Sequence, residues 1–214
     1  MSVVQNIGGA GAAGGTEFVS CWSCKGPVAS RALFCHTCGA IQGPGQTDHF
    51  TRLGLERSYD IDDDRLEKQY LGYQRVLHPD RFAAKSAKER ALAEAQSVAL
   101  NEAYETLEDP LKRATYLLRL KGVISEAAAD KTVNDPALLM EAMEKREALA
   151  EAESADAIEK LTVAAAGDAI QLLSDISKAF AADDLDAANR ATLRLKYLRK
   201  FLEEARLRRS ALED

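Results

Sequence analysis

Two groups of residues in this 214-residue chain have the types and spacing to do chemistry. The first is Cys21-Trp22-Ser23-Cys24 and Cys35-His36-Thr37-Cys38, two C-x-x-C pairs that hold all 4 cysteines of the chain. Two such pairs form knuckles whose thiolates close a tetrahedral shell around one Zn²⁺ at about 2.3 Å; four thiolates also suit iron. A closed shell leaves no open coordination position, so the ion is expected to be structural. A segment this short buries too little apolar surface to fold alone, and the metal must hold it together. Gly26 and Gly39, just beyond the second cysteine of each pair, are expected to relax the knuckle turns. His36 stands between two ligands and is expected outside the completed shell. The second group is His78-Pro79-Asp80. A base and an acid this close on a turn have no pocket and no nucleophile beside them, so the chain is not expected to be an enzyme.

The elements that must position the triplet are two helix patterns. From Asp62 to Leu77, Leu66, Tyr70, Tyr73 and Leu77 form one apolar stripe. Arg65, Lys68 and Arg75 fall away from it, and Asp62, Asp63 and Asp64 suit a helix N-terminus. Pro79 then ends the helix, because proline lacks an N–H and biases the residue before it away from helical angles. From Lys85 to Leu107 a second pattern places Leu92, Ala95, Ala99, Leu100, Ala103 and Leu107 on one face. The result is an antiparallel hairpin with the triplet at its tip. A short helix over Phe50–Leu55, capped by Asp48 or Thr47, precedes it, with His49 at the surface.

Net charge is −6 and the pI about 5.3, which disfavours nucleic-acid binding, since that relies on neutralising phosphates. No apolar run approaches the roughly 20 residues of a membrane span. Alanine, leucine and glutamate dominate, so helix is expected almost throughout. Residues 1–20 contain no Lys or Arg, against both a secretory signal and a mitochondrial presequence. A bacterial cytoplasmic location is therefore expected, or the mitochondrial matrix if the chain is a mature form. Gly8–Gly15 reads as flexible, and Gly43-Pro44-Gly45 as a linker.

Beyond the hairpin, Asp109-Pro110 marks a break and Leu111, Ala114, Leu117, Leu118 and Leu120 recur helically up to Gly122. Asn134-Asp135-Pro136 is a helix start with proline at the first turn. Three long patterns follow, over about 136–153, 156–182 and 185–207. The second carries Ile158, Leu161, Ala165, Ala169, Leu172, Ile176 and Phe180; the third carries Ala188, Ala191, Leu195, Leu198, Leu202 and Ala205. Short connections imply antiparallel neighbours, hence a three-helix bundle. The first of the three has apolar surface to spare. Leu138, Ala142 and Leu149 share one face, while Leu139, Met140 and Met143 lie on another that Glu144, Glu147 and Glu151 continue. Tyr197 falls off its own helix's stripe. Exposed Met and Leu bordered by acids suit a protein-binding patch or weak self-association to a homodimer; packing under the hairpin domain is the alternative.

The hairpin, with Tyr-Leu-Gly-Tyr-Gln-Arg-Val-Leu-His-Pro-Asp-Arg-Phe and Leu-Asn-Glu-Ala-Tyr-Glu-Thr-Leu, resembles a J-domain. With Asp-Pro-Leu-Lys-Arg-Ala-Thr-Tyr-Leu-Leu and Leu-Leu-Met-Glu-Ala-Met-Glu-Lys-Arg-Glu, the chain from about Asp48 onward resembles the HscB co-chaperones of iron–sulfur cluster assembly, and its four-cysteine segment resembles that of their mitochondrial members. The resemblance implies an all-α fold: a J-domain hairpin with an extra helix (47–122) and a C-terminal antiparallel three-helix bundle (134–210), preceded by a flexible tail (1–17) and a small rubredoxin-like zinc module (18–43). It implies that His78, Pro79 and Asp80, with Arg75, Lys68 and Arg81, engage a DnaK/HscA-type chaperone and stimulate its ATPase. It implies that Leu139, Met140, Met143, Glu144, Glu147, Glu151 and Tyr197 bind an IscU-type scaffold. No nucleic acid or membrane partner is expected. A general folding co-chaperone with a different client is the second reading.

Overall fold

The computed structural model describes residues 17–124 and 135–213. The expected tail 1–17, apart from Glu17, and most of the expected connection over 123–133 lie outside them. The described residues form two short strands and seven α-helices and divide into two compact units, the first ending at Asp109 and the second starting at Pro110. The leucine-rich helix expected with the hairpin is therefore counted with the C-terminal helices.

In the first unit, β1 (Phe18–Ser20) and β2 (Pro27–Ala29) pair antiparallel, Val19 opposite Val28. Val28 and Ala40 bury against Cys21 and Cys35, with Trp22 and Ala32 packed around them. This is a very small core. The segment also leans on the hairpin behind it. The Gln96 side chain donates to the Gln42 carbonyl at 3.0 Å, both groups buried. The Lys88 ammonium sits 4.4 Å from the centre of the Trp22 ring, a cation–π contact. Trp22 in turn donates from its indole to the Ile41 carbonyl at 2.6 Å.

Helix α1 (His49–Arg52) begins at Asp48, whose carboxylate accepts from the Thr51 N–H at 3.1 Å and from the Arg57 guanidinium at 2.8 Å. It is shorter than expected, but Phe50 and Leu53 are fully buried and anchor it. His49, expected at the surface, is half-buried, and burial pulls its imidazole below the usual range. Helix α2 (Asp63–Leu77) is capped by Asp62. Helix α3 (Ala87–Glu108) starts at Ser86 with a reciprocal capping box to Glu89.

The buried seam of α3 runs through Ala93, Gln96, Leu100, Ala103 and Leu107. Leu92, Ala95 and Ala99, expected there, are only half-buried. Leu100, Ala103 and Leu107 are buried as expected; in the first half of the helix the seam admits a glutamine, which is satisfied by the Gln42 carbonyl. A pattern built on apolar residues alone passes over it.

In the second unit, α4 (Pro110–Leu120), α5 (Pro136–Glu151), α6 (Ala155–Ala181) and α7 (Leu185–Glu213) pack mainly on α7. Asp135 caps α5 with Pro136 in its first turn, as expected. Leu149, Ile158, Ala165, Leu198, Phe201 and Ala205 form the bundle core. Leu118, Ala179 and Ala188 form a second cluster where α4 meets the α6–α7 turn; Lys121 closes it with a 2.7 Å ion pair to Asp183. Phe201 and Thr192 are buried on α7, where the sequence pattern had placed Leu202 and Ala191. Thr192 hides its hydroxyl by donating to the Ala188 carbonyl at 2.7 Å.

Replacing Gln96 with leucine removes the donor to a buried carbonyl. Stability should fall by about 1–2 kcal/mol, read as a lower urea midpoint at unchanged slope. An unchanged midpoint would mean that this bond contributes nothing to holding the module on the hairpin.

Candidate functional site

The four sulfurs of Cys21, Cys24, Cys35 and Cys38 lie within 4.8 Å of one another. Cys21 and Cys38 sulfurs are 3.8 Å apart, as are those of Cys24 and Cys35. Four sulfurs at about 2.3 Å from one ion, at tetrahedral angles, are separated by about 3.8 Å. The donor set therefore fits a single tetrahedral ion. The two knuckles are built alike. The Cys21 N–H donates to the Gly26 carbonyl at 2.8 Å, and the Cys35 N–H to the Ala40 carbonyl at 2.9 Å. The Lys25 N–H returns to the Cys21 carbonyl, and the Gly39 N–H to the Cys35 carbonyl. Both returning residues are left-handed, with φ of 63° at Lys25 and 74° at Gly39.

Gly39 thus does what the sequence assigned to it, but Lys25 takes the strained position in the first knuckle rather than Gly26. At Gly26 φ is not positive, and a Cβ there would stand at ordinary contact distance, 3.4 Å, from the Cys24 sulfur. Amide N–H groups favour the thiolate form. The Cys24 N–H, then that of Ser23, brings Cys21 down to about 6, and the Cys38 N–H lowers Cys35 in the same way. At Cys24 the Gly26 N–H pulls downward, but the neighbouring thiols and burial push it up to about 11. His36 is exposed and outside the cluster.

The triplet stands at the end of α2. His78 leaves the helix with φ −55° and ψ 129°, and a 3-10 turn over Pro79–Phe82 follows. Its ring accepts from the Asp80 N–H through Nδ1 at 3.3 Å, and Nδ1 is 3.6 Å from the Asp80 carboxylate. The two side chains are 52% and 91% exposed. Phe82 is buried and ties the turn to the hairpin, while the Ser97 hydroxyl donates to the Leu77 carbonyl at 3.2 Å, satisfying a group that the ended helix leaves open. Lys68 and Arg75, two turns apart on α2, are exposed, and Arg81 follows the triplet directly. No cavity encloses His78 or Asp80 among the described pockets. The arrangement suits contact with a partner.

On α5, Met140 and Met143 are 64% and 61% exposed, and Glu144, Glu147 and Glu151 are exposed beside them. Leu139 is half-buried. Tyr197 stands on α7 and is half-buried. It lines the groove between α5 and α7 with Leu138, Ala142, Leu198 and Phe201. The groove is flanked by two ion pairs, Arg194 to Glu141 at 2.8 Å and Arg146 to Glu204 at 3.0 Å. The groove-lining positions of α5 and its methionine–glutamate strip fall on different sides of that helix, and Tyr197 lines the groove. Sequence reasoning missed the seam's ion pairs, because Glu141, Arg146, Arg194 and Glu204 each look like ordinary solvated charges until the two helices are paired.

Residues 48–116 match the DnaJ domain, and residues 134–206 match the HSCB C-terminal oligomerisation domain. The chain is 33% identical over 202 residues to the human iron–sulfur cluster co-chaperone protein HscB, covering 92% of this chain and 86% of that protein. It is 37% identical over 185 residues to the HscB homologue of Arabidopsis thaliana, covering 86% of this chain and 72% of the plant protein. The crystal structure of human HscB superposes with a TM-score of 0.81 over 89% of this chain and 98% of that one, at 33% identity. The HscB chaperone of Vibrio cholerae gives 0.67 at 32% identity, over 78% and 99% of the two chains. With a J-type hairpin that exposes His-Pro-Asp, a C-terminal helical bundle and four clustered cysteines, the chain belongs to the HscB family of J-domain co-chaperones of iron–sulfur cluster assembly.

Proposed function

We propose that this protein brings an iron–sulfur scaffold of the IscU type to a chaperone of the DnaK/HscA type and stimulates that chaperone's ATPase. The observation that carries this reading is the exposed His78-Pro79-Asp80 turn, pinned on both sides by Phe82 and Ser97. Lys68, Arg75 and Arg81 give the chaperone a cationic surface around it. The strip of Met140, Met143, Glu144, Glu147 and Glu151, with Leu139 beside it and Tyr197 on the seam, takes the scaffold. Methionine suits such a surface, since its flexible thioether adapts to the partner's shape.

The chain performs no bond chemistry in this scheme. It holds a cluster-loaded scaffold, and His78-Pro79-Asp80 favours the chaperone state in which ATP is hydrolysed and the client is gripped. Such a bias requires contacts that differ between the two chaperone states. Cluster transfer follows from that grip. Cys21, Cys24, Cys35 and Cys38 would hold one Zn²⁺. The ion would neutralise the crowded thiolates and lock the two knuckles; its role is structural.

His78→Gln should abolish stimulation of ATP hydrolysis in single-turnover assays and leave scaffold binding within twofold. Joint replacement of Leu139, Met143 and Tyr197 by alanine should weaken scaffold binding at least tenfold, about 1.4 kcal/mol, with scaffold-independent stimulation retained. If either variant, well folded by circular dichroism, lost both activities, the two-surface scheme would be wrong. Purified protein should carry one metal ion per chain by elemental analysis. Cys24→Ser/Cys38→Ser should lose the ion and the tertiary signals of residues 17–46 while the far-ultraviolet helix signal stays. Full metal retention in that variant would remove these cysteines from the site.

A further inference from the structure

The four-cysteine module has no role in the scheme above beyond its own folding, yet it is fastened to the hairpin by a buried hydrogen bond and a cation–π contact. What that fastening produces is a cleft. An open cavity of about 890 Å³ lies between the second knuckle and the tip of the hairpin, within the size range of built ligand sites. One wall is Leu33 and Phe34 of the module. The other is Tyr73 and Val76 of α2 with Phe82 of the turn. Of these only Phe82 is buried; the rest leave apolar surface facing water.

The rim is cationic. Arg31 comes from the module, and Arg81 and Lys85 come from the loop that carries the triplet. Arg52 also lines the cleft, although it is engaged with the Pro44 carbonyl at 3.0 Å. The one acid among the lining residues, Glu89, is held by Ser86 in the capping box. Four cations against one carboxylate is a local excess of positive charge in a chain whose net charge is −6. Such an excess on apolar walls calls for an occupant that is both acidic and apolar. The chain's own first 16 residues carry no acidic side chain and do not match it. Arg81, the residue after the triplet, lines the cleft, so the cleft begins next to His78-Pro79-Asp80 in the chain.

Resting on the reading of the triplet as the chaperone contact, we propose that this cleft receives an extended segment of the chaperone in which carboxylates flank apolar side chains. The four-cysteine module thus supplies half of a second chaperone-binding site. It adds affinity, while the triplet supplies stimulation.

The test uses the full-length, metal-loaded protein and its cognate chaperone. Arg31→Glu and Leu33→Ser, both on the module and outside the triplet, should each raise the half-saturating concentration for ATPase stimulation about tenfold. The maximal rate at saturation should stay near wild type. The Arg31→Glu difference should shrink as salt is raised, because screening weakens a charge contact. Benzoylphenylalanine in place of Leu33 should cross-link to an acidic, apolar segment of the chaperone on irradiation. Wild-type half-saturation in both variants overturns the proposal while leaving the triplet reading intact. So does a cross-link to the scaffold, or none to the chaperone. A wild-type protein that gives no stimulation at all removes the triplet reading and the cleft with it.

Discussion

Pro79 sets the terms for the first unit. It has no N–H to continue α2, and it forces His78 out of helical angles. Everything around it answers to that break. The Leu77 carbonyl, left without a helical donor, is taken by Ser97 on the opposite helix. Phe82 folds back into the hairpin core, so the three residues between Leu77 and Arg81 have no choice but to bulge outward. Asp80 turns its N–H to the His78 ring, giving the bulge one fixed internal contact. Exposure of the triplet is therefore enforced by the residues on either side of it. A polar turn that merely reached solvent would sample many shapes; this one is pinned at both ends.

The second unit shows the opposite economy. Helix α5 is held on α7 by few apolar side chains, chiefly Leu138 and Leu149, and by ion pairs along the seam. The Arg208 guanidinium adds to this by donating to the Ala150 and Ala152 carbonyls at 2.8 and 3.0 Å, which closes the open C-terminal end of α5. Exposed ion pairs are individually worth little, but they cost the helix no apolar surface. That leaves Met140 and Met143 outward, where two large flexible side chains contribute nothing to the bundle and are free for a partner.

Much of this was legible in the sequence because the signals are local and strong. C-x-x-C pairs, a proline after a helical stripe, and Asp135-Pro136 at a helix start each act within a few residues, and each is found where expected. The misreadings share one physical cause: they concern where two elements meet. On α3, Leu100, Ala103 and Leu107 are buried as expected, but in the first half of the helix the seam passes through Ala93 and Gln96, and Gln96 is made burial-competent by a carbonyl 54 residues away. On α7, Phe201 and Thr192 are buried as well, while Leu202 packs against the same core and Ala191 is half-buried, because the helix must serve α4, α5 and α6 at once, and no single stripe describes three partners. The left-handed Lys25 carries no sequence signal, since its conformation is imposed by the hydrogen bonds of the knuckle.

The distribution of charge ties the two proposed surfaces together. Lys68 and Arg75 on α2, Arg81 and Lys85 at the hairpin tip and Arg31 on the module give the first unit its cations, while the exposed side of α5 gathers Glu144, Glu147 and Glu151. A partner complementary to one is repelled by the other. Discrimination between two partners is a difference of affinities, and an unfavourable charge contact enlarges it as surely as a favourable one. Opposite signs also steer each partner to its own surface before any close contact forms. Under the proposed function, in which the chain holds a scaffold and a chaperone at the same time, this arrangement keeps the two apart. Apolar complementarity alone, with methionines on one surface and Leu33, Tyr73 and Val76 on the other, would not distinguish the two partners.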